Sequence, residues 1–218
     1  MNEFSALPIS AALKQRLAKA NFITLTPVQV GAIPPALEGK DVLATAQTGT
    51  GKTLSFLIPI IEKLQKTQTK AASALILLPT RELAMQVQQA CAQLISFPTA
   101  LVVGGMAEGP QLDAIRRGSR LIVATPGRLE DFLGRKLVKL NQVEILVLDE
   151  VDRMLDMGFK PAIRRIVAAI PPVHQTLCYS ATLEGAVREV AGDYLKNHQL
   201  TSWRHILKCR TGAPIAVG

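Results

Sequence analysis

Aromatic residues are scarce in this chain: one Trp, two Tyr and six Phe make 4% of 218 residues. So few rings argue against a base-stacking platform as a main nucleic-acid surface. Cysteine is equally thin, and Cys91, Cys178 and Cys209 stand too far apart for a metal-ligand set or a disulfide framework. A reducing, cytoplasmic setting is the expectation, with Cys178 a small hydrophobe inside an apolar run. His174, His198 and His205 are not grouped with acids or cysteines, which speaks against a zinc site. No apolar run approaches a membrane span, and Met1-Asn-Glu-Phe-Ser5 lacks the basic start and apolar core of a signal peptide. Acids are the minority charge: 17 Asp and Glu against 25 Lys and Arg leave a net charge of +8. That favours a polyanionic partner such as nucleic acid, the alternative being a merely solvated basic face.

What is present is apolar residue in quantity, 48% of the chain, enough for one globular domain with a proper core. Short apolar runs at 42–46, 74–78, 100–103, 121–124, 145–148 and 176–179 alternate with helix-length stretches at 11–20, 54–66, 81–94, 109–117, 127–133, 161–169 and 185–195. The runs are continuous rather than alternating, the mark of strands covered on both faces. The expected fold is therefore α/β: a mostly parallel, doubly wound sheet with helices on both faces, over residues 1–198. Residues 199–218 have no clear period and read as a tail or linker, disordered or non-native in origin. With no extended apolar surface stripe evident, a monomer is expected.

The densest signal is Ala46-Gln47-Thr48-Gly49-Thr50-Gly51-Lys52-Thr53, between an apolar run and a helical stretch. Strand, glycine-rich loop, helix is the order of a phosphate-cradling loop. Gly49 and Gly51 let backbone N–H groups turn toward phosphate oxygens. Lys52 reaches the β- and γ-phosphates, and the Thr53 hydroxyl can ligate Mg²⁺. The strand at 145–148 ends in Asp149-Glu150. Asp149 is placed to hold Mg²⁺, partly through water, and Glu150 to orient or deprotonate an attacking water. Ser180 and Thr182 follow another strand; their hydroxyls either sense the γ-phosphate, bond to Asp152, or simply cap the next helix.

The ordered set of residues 46–53, Pro79-Thr-Arg-Glu-Leu83, Thr125-Pro-Gly-Arg128, Asp149-Glu-Val-Asp152 and Ser180-Ala-Thr182 resembles the DEAD-box RNA helicases. Phe22-Ile-Thr-Leu-Thr-Pro-Val-Gln29, with Phe4 upstream, is similar to that family's adenine-reading Q motif, here within about residues 2–30. The resemblance implies a RecA-like P-loop NTPase fold, ATP or ADP with Mg²⁺ as cofactors, and ATP hydrolysis coupled to RNA binding and duplex unwinding. It gives Gln29 the adenine edge, Phe4 a stacking role, and Phe22 and Thr24 the walls of the same pocket. Asp149, Glu150 and Lys52 become the catalytic set, and Asp152, Ser180 and Thr182 the coupling set. It places Thr80, Arg81, Gly105, Thr125 and Arg128 against the RNA backbone, a contact that is sequence-tolerant and salt-sensitive. On local sequence alone Gln29 is a surface glutamine after a helix start, and Arg81 or Arg128 pairs with Glu82 or Glu130.

Two departures stand out. Val151 occupies the position where the family usually has alanine, adding two methyl groups. Asn21 stands where glycine often precedes the Q-motif phenylalanine; asparagine tolerates the left-handed backbone such a turn needs. The family's enzymes also carry a second RecA-like domain, which this stretch is too short to include. The expectation is thus nucleotide binding, feeble ATPase and weak RNA binding, with little or no unwinding from this stretch alone. The rivals are a DNA helicase or small-molecule kinase with the same loop, and a binding module without turnover.

Overall fold

The computed structural model describes residues 3–47, 49–66, 71–182 and 185–195. Thr48 of the phosphate loop and the tail expected at 199–218 lie outside the described residues. Six strands form one sheet: β1 (Val42–Thr45), β2 (Ala74–Leu77), β3 (Thr99–Val102), β4 (Leu121–Ala124), β5 (Ile145–Leu148) and β6 (Gln175–Ser180). Their order across the sheet is β1-β6-β5-β2-β4-β3, and every pairing is parallel.

Successive side chains of a strand point to opposite faces, and two apolar clusters follow from that alternation. One takes Val42 and Ala44, Ala74 and Ile76, Ile145 and Val147, Leu177 and Tyr179. The other takes Leu43, Leu75, Leu77, Ile122, Leu146, Leu148 and Cys178. Helices α1 (Ala11–Lys19), α2 (Pro27–Leu37), α3 (Lys52–Gln65) and α4 (Arg81–Leu94) cover the first face. Helices α6 (Pro126–Gly134), α7 (Val151–Asp156), α8 (Lys160–Ala168) and α9 (Gly185–Tyr194) cover the second, with α5 (Glu108–Arg116) packed beside β3. This is the α/β architecture the apolar runs imply, a parallel sheet with helices on both faces.

The helix at α2 and the short α7 are additions to the sequence expectation. Pro27 stands at the first turn of α2, where its fixed φ suits a helix start, and Pro34 and Pro35 fall in the last turn. The run is held by burial, with Ala32 and Ile33 fully enclosed against α3. Val151 is fully buried at the start of α7, so its methyl groups lie in the second cluster with Met154. Cys178 is buried and its thiol is pushed up to about 12 by desolvation, as a small hydrophobe in a strand should be. Met157, which follows the last residue of α7, is by contrast 48% exposed.

Candidate nucleotide site and adjoining groove

All six strands end at one edge of the sheet, and the sheet order sorts the polar loops along it. The ends of β1, β6 and β5 carry the phosphate loop, Ser180-Ala-Thr182 and Asp149-Glu150. Those of β2, β4 and β3 carry Thr80-Arg81, Thr125–Arg128 and Gly104-Gly105. Two cavities lie along this edge, one at the phosphate loop and acid pair, which also reaches Leu78 and the α4 residues Leu83, Val87 and Leu94, and one at the β2-β4-β3 loops.

The first, of about 490 Å³, runs from Phe4, Phe22, Thr24 and Gln29 past Gly49, Gly51, Lys52 and Thr53 to Asp149 and Glu150. Gly51 sits at φ +90° immediately before α3, and Gly49 at φ +81°. A side chain at Gly51 would be strained and would meet the Gln29 amide nitrogen at 2.5 Å. That amide is the brace of the loop. Gln29 is 2% exposed; its Nε2 donates to the Gly51 carbonyl at 3.0 Å, and its Oε1 accepts from the Thr26 N–H at 2.8 Å. A primary amide has two hydrogens and two lone pairs, so one of each stays available. Phe4 is almost fully enclosed, with its ring 6.4 Å from that of Phe22; Phe22 is half-buried and presents the more open ring. Asn21 adopts the left-handed conformation (φ +60°) that the turn before Phe22 requires. An antiparallel bridge from Glu3 to Thr24 holds the N-terminal segment against this turn.

Lys52 opens α3 and is 6% exposed, yet among the described residues its Nζ has no hydrogen-bond partner. Asp149 Oδ1 lies 3.7 Å away, an ion pair too long for a hydrogen bond. A buried ammonium at a helix N-terminus, held only by one long ion pair, is a site suited to an anion. Thr53 follows it on the cavity wall. The Asp149 carboxyl is pushed up to about 6 by burial, with Lys52 opposing the shift and Glu150 adding to it. The donor set of Thr53 hydroxyl and Asp149 carboxylate, all hard oxygen, suits Mg²⁺ beside a nucleotide's phosphates. Glu150 is 7% exposed and takes a left-handed backbone, φ +54° and ψ +51°. Strain of that kind in a non-glycine residue gathers at functional positions. Arg153, one turn on, reaches its Oε2 at 3.4 Å.

Asp152 ties α7 to the end of β6. Its Oδ2 accepts from the backbone N–H groups of Ala181 and Thr182 at 3.0 and 3.1 Å. The link is thus made by main chain and not by the hydroxyls of Ser180 and Thr182. Ser180 is fully buried, and its hydroxyl accepts from the Thr182 N–H at 3.3 Å.

The second cavity is an open groove of about 700 Å³, lined by Thr80, Arg81, Gly104, Thr125, Gly127 and Arg128 among others. Thr80 caps α4, its Oγ1 accepting from the Leu83 N–H. Arg81 donates to the Gly105 carbonyl at 3.4 Å and pairs with Glu82 at 3.3 Å. Gly105 sits at φ +71° beneath that guanidinium. Thr125 is buried at the start of α6. Arg128 pairs at 2.7 Å with Glu108, not with Glu130, which is bonded to Arg165. Two contributors to this groove carry no sequence motif. Gln111, 6% exposed, exchanges bonds with both backbone groups of Val103 and donates to the carbonyls of Met106 and Ala107. It thereby shapes the Gly104-Gly105 turn. Glu108 is the other, and only the fold brings it to Arg128. Among the described residues no His, Cys, Asp and Glu cluster could hold a metal by itself, and no helix is long and apolar enough to cross a membrane.

A parallel sheet with a glycine-rich loop before a buried lysine, and an acid pair ending a neighbouring strand, define the class of phosphate-loop nucleotide-binding domains. Residues 26–190 match the family model described as DEAD/DEAH box helicase. The chain belongs to that family. It is 44% identical over 201 residues to DEAD-box ATP-dependent RNA helicase 40 of Arabidopsis thaliana, covering 89% of this chain and 18% of that protein. It is 42% identical over 200 residues to DEAD-box ATP-dependent RNA helicase CshA of Streptococcus pneumoniae serotype 4, covering 89% of this chain and 37% of that one. A solved structure of a DEAD box protein from the hyperthermophile Methanococcus jannaschii superposes with a TM-score of 0.84 at 33% identity, over 90% of this chain and 55% of the other. The chain thus spans less than two-fifths of the length of these two curated relatives.

Proposed function

We propose that this chain binds ATP and Mg²⁺ in the cavity at the β1-β6-β5 edge and binds RNA in the groove at the β2-β4-β3 edge. It would serve as the ATP-binding RecA-like domain of an ATP-dependent RNA helicase. The observation that carries the reading is the buried Lys52 Nζ, without a hydrogen bond among the described residues and in a long ion pair with Asp149, in a cavity that continues to the Gln29 amide. Lys52 and the backbone N–H groups at 49–53 receive the β- and γ-phosphates. Thr53 and Asp149 would hold Mg²⁺, which would supply charge neutralisation at the phosphates and so a lower barrier to attack. Glu150 positions the attacking water and takes its proton. The free hydrogen and lone pair of Gln29 meet the adenine edge, and the half-buried Phe22 ring gives the base a face beside Phe4.

RNA contacts from Thr80, Arg81, Gly105, Thr125 and Arg128 go to phosphate and sugar, so sequence preference is weak. Asp152, bonded to Ala181 and Thr182, couples the acid strand to the end of β6. Robust turnover and unwinding draw on a second RecA-like domain that supplies transition-state arginines, a contribution worth orders of magnitude in rate. Without that partner this stretch binds both ligands, hydrolyses ATP slowly and leaves duplexes intact.

The test is calorimetric titration with ADP and with GDP, on this chain and on Gln29→Ala. The expected result is preference for ADP, with both affinity and preference reduced in the variant. Affinity alone is not diagnostic, because Gln29 also braces Gly51. Equal binding of ADP and GDP by the unaltered chain would sink the adenine reading.

A further inference from the structure

Glu108 is an acid in a groove read as a site for phosphates. It opens α5 and lines the groove with Arg128. Its Oε1 accepts from Arg128 at 2.7 Å and from Arg135 at 3.0 Å, while Oε2 accepts from Arg135 at 3.0 Å. Both guanidiniums stand over the Phe132 ring, 5.5 and 5.9 Å from its centroid. The Arg135 guanidinium, with Arg128 behind it, holds the Glu108 carboxyl below the usual carboxylate range.

A carboxylate in the fork of two arginines offers the same planar acceptor geometry that a phosphate offers. Asp131, also on the groove wall, accepts from Arg135 Nη1 at 3.0 Å, so one side of that guanidinium stays anchored. The Glu82–Arg81 pair is different in kind. Glu82 meets Arg81 through one oxygen at 3.3 Å with its side chain 66% exposed, so solvent and salt weaken that contact. The Arg128 side chain is only 16% exposed, so its charge is directed chiefly at Glu108.

We propose, resting on the reading of this groove as the RNA site, that Glu108 is a built-in competitor for RNA phosphate. In the RNA-free protein it occupies the Arg128–Arg135 fork, and a backbone phosphate must displace it to bind. It therefore sets RNA affinity below what the basic residues alone would give and speeds release. Arg135 becomes a further phosphate ligand once the carboxylate is displaced.

The experiment is fluorescence anisotropy with a labelled oligouridylate across a KCl series, using this chain, Glu108→Gln, Glu108→Ala, Glu130→Gln and Arg81→Ala, each checked by thermal melting. Neutralising Glu108 is expected to tighten binding on the order of threefold to tenfold, and to steepen the slope of log affinity against log salt by about 0.7 for each further phosphate neutralised. Glu130→Gln, whose partner Arg165 is not among the groove-lining residues, should leave both quantities unchanged. Equal or weaker binding by both Glu108 variants, with an unaltered slope, would mean that Glu108 positions Arg128 for RNA and would overturn the proposal. Absence of RNA binding in the unaltered chain, or indifference to Arg81→Ala, would instead remove the RNA reading of the groove and the proposal with it.

Discussion

Asp149 and Glu150 are neighbours with opposite problems. Asp149 directly follows β5 and carries a charge that burial opposes, so its carboxyl is raised from 3.8 to about 6. A carboxyl that binds protons more tightly folded than unfolded costs stability as pH rises through that interval. The nucleotide-free chain should lose stability between about pH 4 and pH 6 on account of this group, by at most about 3 kcal/mol. Asp149→Asn should flatten that part of the profile, and thermal melts of both forms from pH 4.5 to 7.5 measure it. The same protonation removes the charge proposed to hold Mg²⁺, so on that reading the Mg²⁺-dependent share of nucleotide affinity should fall below pH 6. Glu150 has its charge partly met by Arg153 but a backbone that favours glycine. Glu150→Gly should therefore be more stable than Glu150→Ala by about 1 kcal/mol, the reverse of the ordinary order, because only glycine takes φ +54° without strain. Glu150→Gln should keep ADP affinity while ATP turnover drops at least about a hundredfold.

Elements differ in how much of their role shows in the sequence. The six strands are legible because a buried parallel strand is a short continuous apolar run, and each of the six observed strands overlaps an expected run. The phosphate loop and the acid pair are legible because their chemistry demands particular residues at fixed spacing. The helix at α2 is hidden by Gly31, Pro34 and Pro35, which break the local pattern while tertiary burial holds it. The α7 helix has six residues, too few to show a period. Gln111 is hidden for another reason: a single amide has no signature, and its importance lies in the Val103–Ala107 carbonyls and N–H it meets after folding. Gln111→Ala should leave the fully buried Val103 N–H without its partner and cost about 1–3 kcal/mol of stability. Because the turn it shapes lies on the groove side, RNA affinity should fall severalfold while ADP affinity holds. Thermal melts with parallel ADP and RNA titrations of this variant check both halves of that statement.

At the scale of the molecule, strand order does the sorting that chain order does not. Along the sequence, the loops proposed for the two ligands interleave: phosphate loop, Thr80-Arg81, Gly104-Gly105, Thr125–Arg128, then Asp149-Glu150 and Ser180–Thr182. Across the sheet they separate into three adjacent strands for each. The middle strands of the two groups, β6 and β4, are three positions apart, which at ordinary strand spacing is about 14 Å. That exceeds both the range over which substitutions usually couple and the screening length of physiological salt. Lys52→Ala should therefore abolish ADP binding and leave RNA affinity, measured without nucleotide, within about twofold of the unaltered chain. Arg81→Ala should weaken RNA binding severalfold and leave ADP affinity within about the same margin. β5 and β2 are the pair where the two groups meet, and α4, which begins at Arg81, also lines the first cavity, so any coupling between the proposed ligands is expected to run through Asp149, Glu150 and Asp152 or through α4. If Arg81→Ala instead lowers ADP affinity as far as Lys52→Ala does, the edge holds one continuous site and its division into two is wrong.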